Sequence, residues 1–263
     1  MFITRALTVL IALPLFAAAL IYSPQWLWAL LLMPVLFIAS WEWAGLARYG
    51  AAARIAYSAF NSAIALALFY LAPYQVELVA FALSCAFWVL VAPPWLARRW
   101  SIRNALVLGA VGSIALVPMW LALVRLQVSP AALLLFMAVV WIADTFAYLA
   151  GRQWGRHKLA PLISPGKSWE GVAGAAVALA VYYAILWFLL PVGARVLPAW
   201  SALALFGAML ALSIEGDLFE SWMKRQAGVK DSGRLLPGHG GILDRIDGLT
   251  STMPAVALVL YLH

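Results

Sequence analysis

The chain has 263 residues, of which 66% are hydrophobic and only 10% charged, with 17 Lys and Arg against 10 Asp and Glu for a formal net charge of +7. Ordinary soluble domains are roughly 45–50% apolar and about 25% charged, so this balance excludes both a disordered chain and a soluble globule. A mean hydropathy of +0.97 makes lipid the solvent, and with no basic cluster denser than Arg98, Arg99 and Arg103 the positive charge speaks for membrane topology and against a nucleic-acid partner.

A bilayer-spanning helix needs about 20 apolar residues. Runs of that kind, broken at proline, glycine or charge, predict nine spans: Ala6–Tyr22, Gln25–Ser40, Ile55–Ala72, Val76–Ala92, Asn104–Val124, Ala131–Ala150, Gly171–Leu190, Ala199–Ile214 and Gly248–Leu262. The first, behind Arg5, imitates a signal peptide, but hydrophobicity continues past Ser23-Pro24 into a second span, so it is read as retained. Cys85 lies alone in the fourth, which excludes an intrachain disulfide. With the N-terminus cytoplasmic, the outside keeps only Arg125 and Arg195 of the 17 basic residues, as the positive-inside rule requires. The expectation is an all-α polytopic membrane protein. Residues 1–130 read as a transmembrane scaffold, and 131–263 as a catalytic region with two cytoplasmic loops, 152–170 and 215–247.

The charges are lopsided. Residues 1–143 hold only two acids, Glu42 and Glu77. An ionised Asp near a bilayer centre costs roughly 2.5–3.5 kcal/mol, so Asp144 in the sixth span should face a partner or a wet cavity. Helical spacing puts it on one face with Tyr148 and Gly151; a structural pairing with an Arg of another span is the alternative. In the loop that follows, Gly166-Lys167-Ser168 mimics the end of a P-loop, but the first glycine of that motif would fall on Pro161, and no strand is expected before it. A turn at Pro165-Gly166 should present Lys167 and the Ser164 and Ser168 hydroxyls beside the next helix's N-terminus, where free N–H groups favour phosphate. An ordinary basic loop with a helix cap would look the same.

The third segment is the most informative. Asp217, Glu220, Ser221 and Lys224 fall at i, i+3, i+4 and i+7, and Asp244 and Asp247 repeat the i, i+3 spacing at the start of the last span. Carboxylates from two helices with Lys and Arg nearby suit a hard divalent cation holding a polyphosphate, since Mg²⁺ takes one or two carboxylates and fills its octahedron with water and phosphate oxygens. His239, among Gly238, Gly240 and Gly241, could close over phosphate as a donor. Histidine and cysteine are too few for a zinc or iron site, and no nucleophile motif occurs.

At this point the chain resembles the phosphatidate cytidylyltransferases (CDP-diacylglycerol synthases). Their signature, Ser-x-hydrophobic-Lys-Arg-x4-Lys-Asp-x-small followed by a His-Gly-Gly-hydrophobic-x-Asp-Arg-hydrophobic-Asp close, is met at Ser221, Lys224, Arg225, Lys230, Asp231, Gly233, Pro237, His239, Gly240, Gly241, Asp244, Arg245 and Asp247. Asp144-x-x-Ala147-Tyr148-x-x-Gly151-Arg152 and the run Ser164–Gly171 also look like the family. The motifs cover about 131–263; the earlier residues match only in kind. The resemblance implies cytidylyl transfer from CTP to phosphatidate with release of pyrophosphate, magnesium-dependent, by a multi-pass inner-membrane homodimer whose site faces the cytoplasm. It implies Asp217 and Asp244 as metal carboxylates, Lys224, Arg225, Lys230 and Lys167 on phosphates, and Ser164 to Trp169 in the nucleotide site. Whether a monovalent cation such as K⁺ joins the Mg²⁺ is left open. Two rival readings stand beside it: a transporter or flippase, which Asp144 and nine spans would suit but the lack of an internal repeat does not, and a CTP-using polyprenol kinase, which would release CDP.

Overall fold

The structure, a computed structural model, describes residues 14–191, 197–233 and 240–262. Its helices are α1 (residues 14–22), α2 (Gln25–Leu46), α3 (Ala51–Leu71), α4 (Tyr74–Ala86), α5 (Ala92–Arg98), α6 (Ala105–Leu126), α7 (Pro130–Trp154), α8 (Trp169–Leu189), α9 (Ala199–Ala227) and α10 (Leu243–Tyr261). A π-helical turn, Phe87–Val91, joins α4 to α5. Pro93 and Pro94 follow it and offer no N–H to the preceding turn, which lets the ladder widen there. Among the described residues, seven helical runs are long and apolar enough to cross a membrane: α2, α3, the continuous Tyr74–Arg98, α6, α7, α8 and α9. They match the second to eighth expected spans. Of the first, residues 14–22 form α1 and residues 6–13 lie outside the described residues.

The ninth expected span differs. It is α10, which starts at Leu243 rather than Gly248, so its first five residues carry Asp244, Arg245 and Asp247 and the helix is too charged to rank with the other seven. It lies inside the bundle, with residues Gly248 to Pro254 buried. The hydroxyls in that stretch are satisfied by carbonyls: Ser251 donates to Leu212 at 2.7 Å and Thr252 to Gly248 at 2.7 Å. The outer faces carry the apolar exposure expected of a lipid boundary, as at Val177, Val181 and Phe188 on α8.

Both expected loops are more ordered than the sequence suggests. Helix α9 runs on to Ala227 and stops at Gly228, whose φ of 79° makes a left-handed cap, so Glu215 to Arg225 are helical. Residues 158–168 form an antiparallel hairpin, β1 (Lys158–Ala160) with β2 (Ser164–Ser168), pairing Lys158 with Ser168 and Ala160 with Ser164. The expected turn at Pro165-Gly166 is therefore strand; the chain reverses at 161–163 instead, where Ile163 N–H donates to Ala160 O at 3.0 Å. A strand does precede Gly166-Lys167-Ser168, contrary to expectation, but as a hairpin partner rather than the strand of a P-loop. Ser168 caps α8, accepting from Gly171 N–H at 3.2 Å. Small residues bring α7 and α8 together: a Cβ on Gly171 would sit 2.7 Å from Ala147 O.

Candidate functional site

A cavity of about 770 Å³ opens between α7, the hairpin, α8, α9 and α10. Helix α7 contributes Asp144 and, on the turns that follow, Tyr148 and Arg152. The hairpin contributes Lys158, Ser164, Lys167 and Ser168; α9 contributes Asp217 and Lys224; Asp231 and the start of α10, with Asp244, Arg245 and Asp247, close it. Acids and cations face one another across a single space, at the end of the bundle where Arg48 donates to Gln226 O at 3.1 Å.

The pairings are specific. Lys167 reaches from β2 to Asp217, with Nζ 2.5 Å from Oδ2 and 3.4 Å from Ile214 O. The Ser221 hydroxyl lies 3.3 Å from the other Asp217 oxygen. Lys224 Nζ stands 2.5 Å from Asp244 Oδ1 and 3.3 Å from Glu220 Oε1. The second Asp244 oxygen accepts from Gly241 N–H at 2.8 Å and Ser232 N–H at 3.0 Å, with the Ser232 hydroxyl at 2.9 Å. Burial pushes the Asp244 carboxyl up, but these donors and the Lys224 ammonium outweigh it and hold the group down at about 2. Asp247 accepts from Gly248 N–H at 2.7 Å, and the Asp217 and Asp144 carboxylates stand near enough to act on it across the cavity.

Not every expected site residue lines this space. Trp169 is 59% exposed. Arg225 is turned away and donates to Ile163 O at 3.3 Å, tethering the hairpin to α9. Lys230 is exposed and Ser221 acts on Asp217 from behind. His239 lies outside the described residues. Conversely, Lys158 lines the cavity without having been singled out, and Arg152, quoted only as the end of the Asp144–Arg152 motif and given no role, lines it too. Glu220, noted only for its spacing, is 3% exposed beside Lys224. Glu42, from α2, reaches the site from the far half of the chain.

Among the described residues, no group of three or more His, Cys, Asp or Glu gathers tightly enough to hold a metal by itself. The donor set still fits Mg²⁺, which asks for only one or two carboxylates and takes the rest from water and phosphate. Asp217 and Asp244 both line the cavity, and each has an ammonium group against it that could serve a phosphate.

Fold and site together define a class: a protein of several membrane-spanning helices with a cavity lined by carboxylates and ammonium groups. The model of the cytidylyltransferase family matches residues 3–263, and the chain belongs to that family. It is 39% identical to the phosphatidate cytidylyltransferase of Pseudomonas aeruginosa over 98% of this chain and 96% of that protein. It is 40% identical to the phosphatidate cytidylyltransferase of Haemophilus influenzae, over 64% and 62% of the two chains, and 49% identical to that of Brucella abortus, over 48% and 43%. Membership makes it a nucleotidyltransferase.

Proposed function

We propose that this protein transfers a cytidylyl group from CTP to phosphatidate, giving CDP-diacylglycerol and pyrophosphate. The observation that carries the reading is the facing of Asp217 and Asp244 by Lys167 and Lys224 in one cavity. A phosphate oxygen of the lipid attacks the α-phosphorus of CTP in line with the bond to the β-phosphate. The new P–O bond forms as the old one breaks, and the pyrophosphate carries the electron pair away. No side chain need form a covalent intermediate.

Asp217 and Asp244 would hold Mg²⁺, which when bound offsets charge on the polyphosphate. Lys167 and Lys224 then turn from carboxylate to phosphate oxygens without leaving the cavity, and Arg152, Lys158 and Arg245 extend the positive wall. Ser168 at the α8 N-terminus positions the hairpin, so that Lys167 arrives at a fixed point. A K⁺ ion beside the Mg²⁺ and a homodimer belong to the same proposal. So does a topology of nine spans in the inner membrane, with the N-terminus and the site facing the cytoplasm. What supports the orientation is that basic Arg48, Arg152, Lys158 and Arg245 share one end of the bundle, whereas Arg125 lies at the other, bonded to Glu77.

The test is product analysis with detergent-purified protein, phosphatidate, labelled CTP and Mg²⁺. CDP-lipid and pyrophosphate in equal amounts, lost on chelation and in folded Asp217→Ala, establish the reaction. CDP formed with a polyprenol acceptor instead would make it a kinase, and lipid movement between leaflets without CTP turnover a transporter.

A further inference from the structure

Glu42 is one of two acids in the first 143 residues and is 3% exposed. It lies near the C-terminal end of the apolar helix α2, among buried residues, where a carboxylate is costly unless something receives it. What receives it is the start of α10. Its Oε1 accepts from Ile242 N–H at 3.2 Å, and its Oε2 accepts from Leu243 N–H at 2.8 Å, with the Ser232 hydroxyl at 3.1 Å. A helix leaves its first N–H groups without intrahelical partners, and α10 has no capping side chain of its own. A carboxylate there also meets the positive end of the helix dipole. Among the described residues no cation forms an ion pair with it.

Two glycines make the room. A Cβ on Gly233 or on Gly241 would collide with the Glu42 carboxylate. Beside the first of them, the Ser232 hydroxyl lies 3.1 Å from Glu42 Oε2 and 2.9 Å from Asp244 Oδ2. The Gly241 N–H that binds Asp244 directly precedes the Ile242 N–H that binds Glu42.

We propose that Glu42 is a positioning residue of the site: from the opposite half of the chain it caps α10 and ties Ser232 to Ile242 and Leu243, and so sets where Asp244 stands. It touches no reacting group. The inference rests on the proposed reaction only for its kinetic arm, because the clamp can be read without turnover.

The experiment compares Glu42→Gln, Ser232→Ala and Glu77→Gln in the full-length protein in detergent. Glu77→Gln removes the other scaffold carboxylate, at the far end of the bundle, and controls for general loosening. Hydrogen exchange at Gly241, Ile242 and Leu243 should rise at least about tenfold in Glu42→Gln, the effect of losing one charge-assisted hydrogen bond, and stay unchanged in Glu77→Gln. The Mg²⁺ concentration for half-maximal activity should rise by a similar factor in Glu42→Gln while the KM for phosphatidate stays put. Ser232→Ala, which keeps the Glu42 cap, should show a smaller shift in the same direction; it decides the matter if Glu42→Gln does not fold. Unchanged exchange in the folded Glu42 variant overturns the proposal. So does equal loosening in Glu42→Gln and Glu77→Gln with an unmoved Mg²⁺ midpoint, and so does a Ser232→Ala protein identical to wild type. Absence of CTP turnover in wild type would instead sink the proposed reaction and leave the exchange result to judge the clamp.

Discussion

Lys167 and Asp217 meet at 2.5 Å across the gap between the hairpin and α9, and each half-buried charge depends on the other. Lys167→Met should lower kcat/KM for CTP by about 10²-fold or more, the usual cost of removing one preorganised donor to a phosphate oxygen; steady-state kinetics with phosphatidate held saturating checks this. Asp217→Asn should do more harm, because it removes a metal carboxylate and leaves the ammonium group without its counter-charge; raising Mg²⁺ should not rescue it. Asp244 is held at about 2 by its donors. It therefore stays ionised through the range of about pH 5 to 8 in which assays run, and Asp244→Asn should be defective across that range rather than shift an optimum. These residues were legible in the sequence because helical spacing is intrinsic: Asp217, Ser221 and Lys224 must share a face wherever the helix packs. Position in the motif does not tell where the Arg225 side chain goes: in the structure it donates to Ile163 O. Glu42 gave only the signal of an acid in an apolar run, and the groups that receive it lie 190 to 201 residues away.

At the scale of elements, hydrophobic runs located the helices well and their ends poorly. Expected ends were set at the first charge, but α9 carries its charges within the helix to Ala227, and α10 begins with them. Charges can stay helical there because they face a polar cavity instead of lipid. The hairpin was missed for a different reason: Ser164-Pro165-Gly166 reads as a turn, and only its attachments make it a strand. Those attachments are the Trp169 N–H to His157 O bond at 2.9 Å, the His157 to Glu170 contact at 2.6 Å and the Arg225 tether. Ser168→Ala should accordingly cost about 1 kcal/mol, as a lost N-cap does, lower the thermal midpoint by a few degrees, and lower activity less than Lys167→Met does, because the hairpin that carries Lys167 loosens without losing its ammonium group. Gly171→Ala should be worse on both measures, for its Cβ would press on Ala147 O and move α8, with Ser168 and Lys167, away from α7.

At the scale of the whole molecule, the apolar first half and the charged second half are packed into one another. Phe219, two residues after Asp217, is fully buried in a box of Trp43, Phe87, Trp88 and Trp95, with ring centroids 5.4 to 6.4 Å away. All four partners come from α2, the π turn and α5. Trp88 also donates to Thr250 O at 3.1 Å, tying the same box to α10. At the opposite end Glu77 pairs with Arg125 and accepts from the Tyr261 hydroxyl at 3.0 Å, closing α4, α6 and α10 together. Two perturbations of comparable size should therefore have different consequences. Phe219→Ala removes a ring from an enclosed box, and Glu77→Gln leaves a guanidinium half-paired; each is expected to cost about 3–5 kcal/mol. Both should lower the unfolding midpoint in detergent. Only Phe219→Ala sits beneath the face that presents Asp217 and Lys224, so only it should also lower kcat in protein that is still fully folded. Equal specific activity in the two folded variants would mean that the aromatic box supports the bundle without steering the site. A selective loss at Phe219 would mean that the apolar half of the chain fixes the geometry in which the charged half reacts.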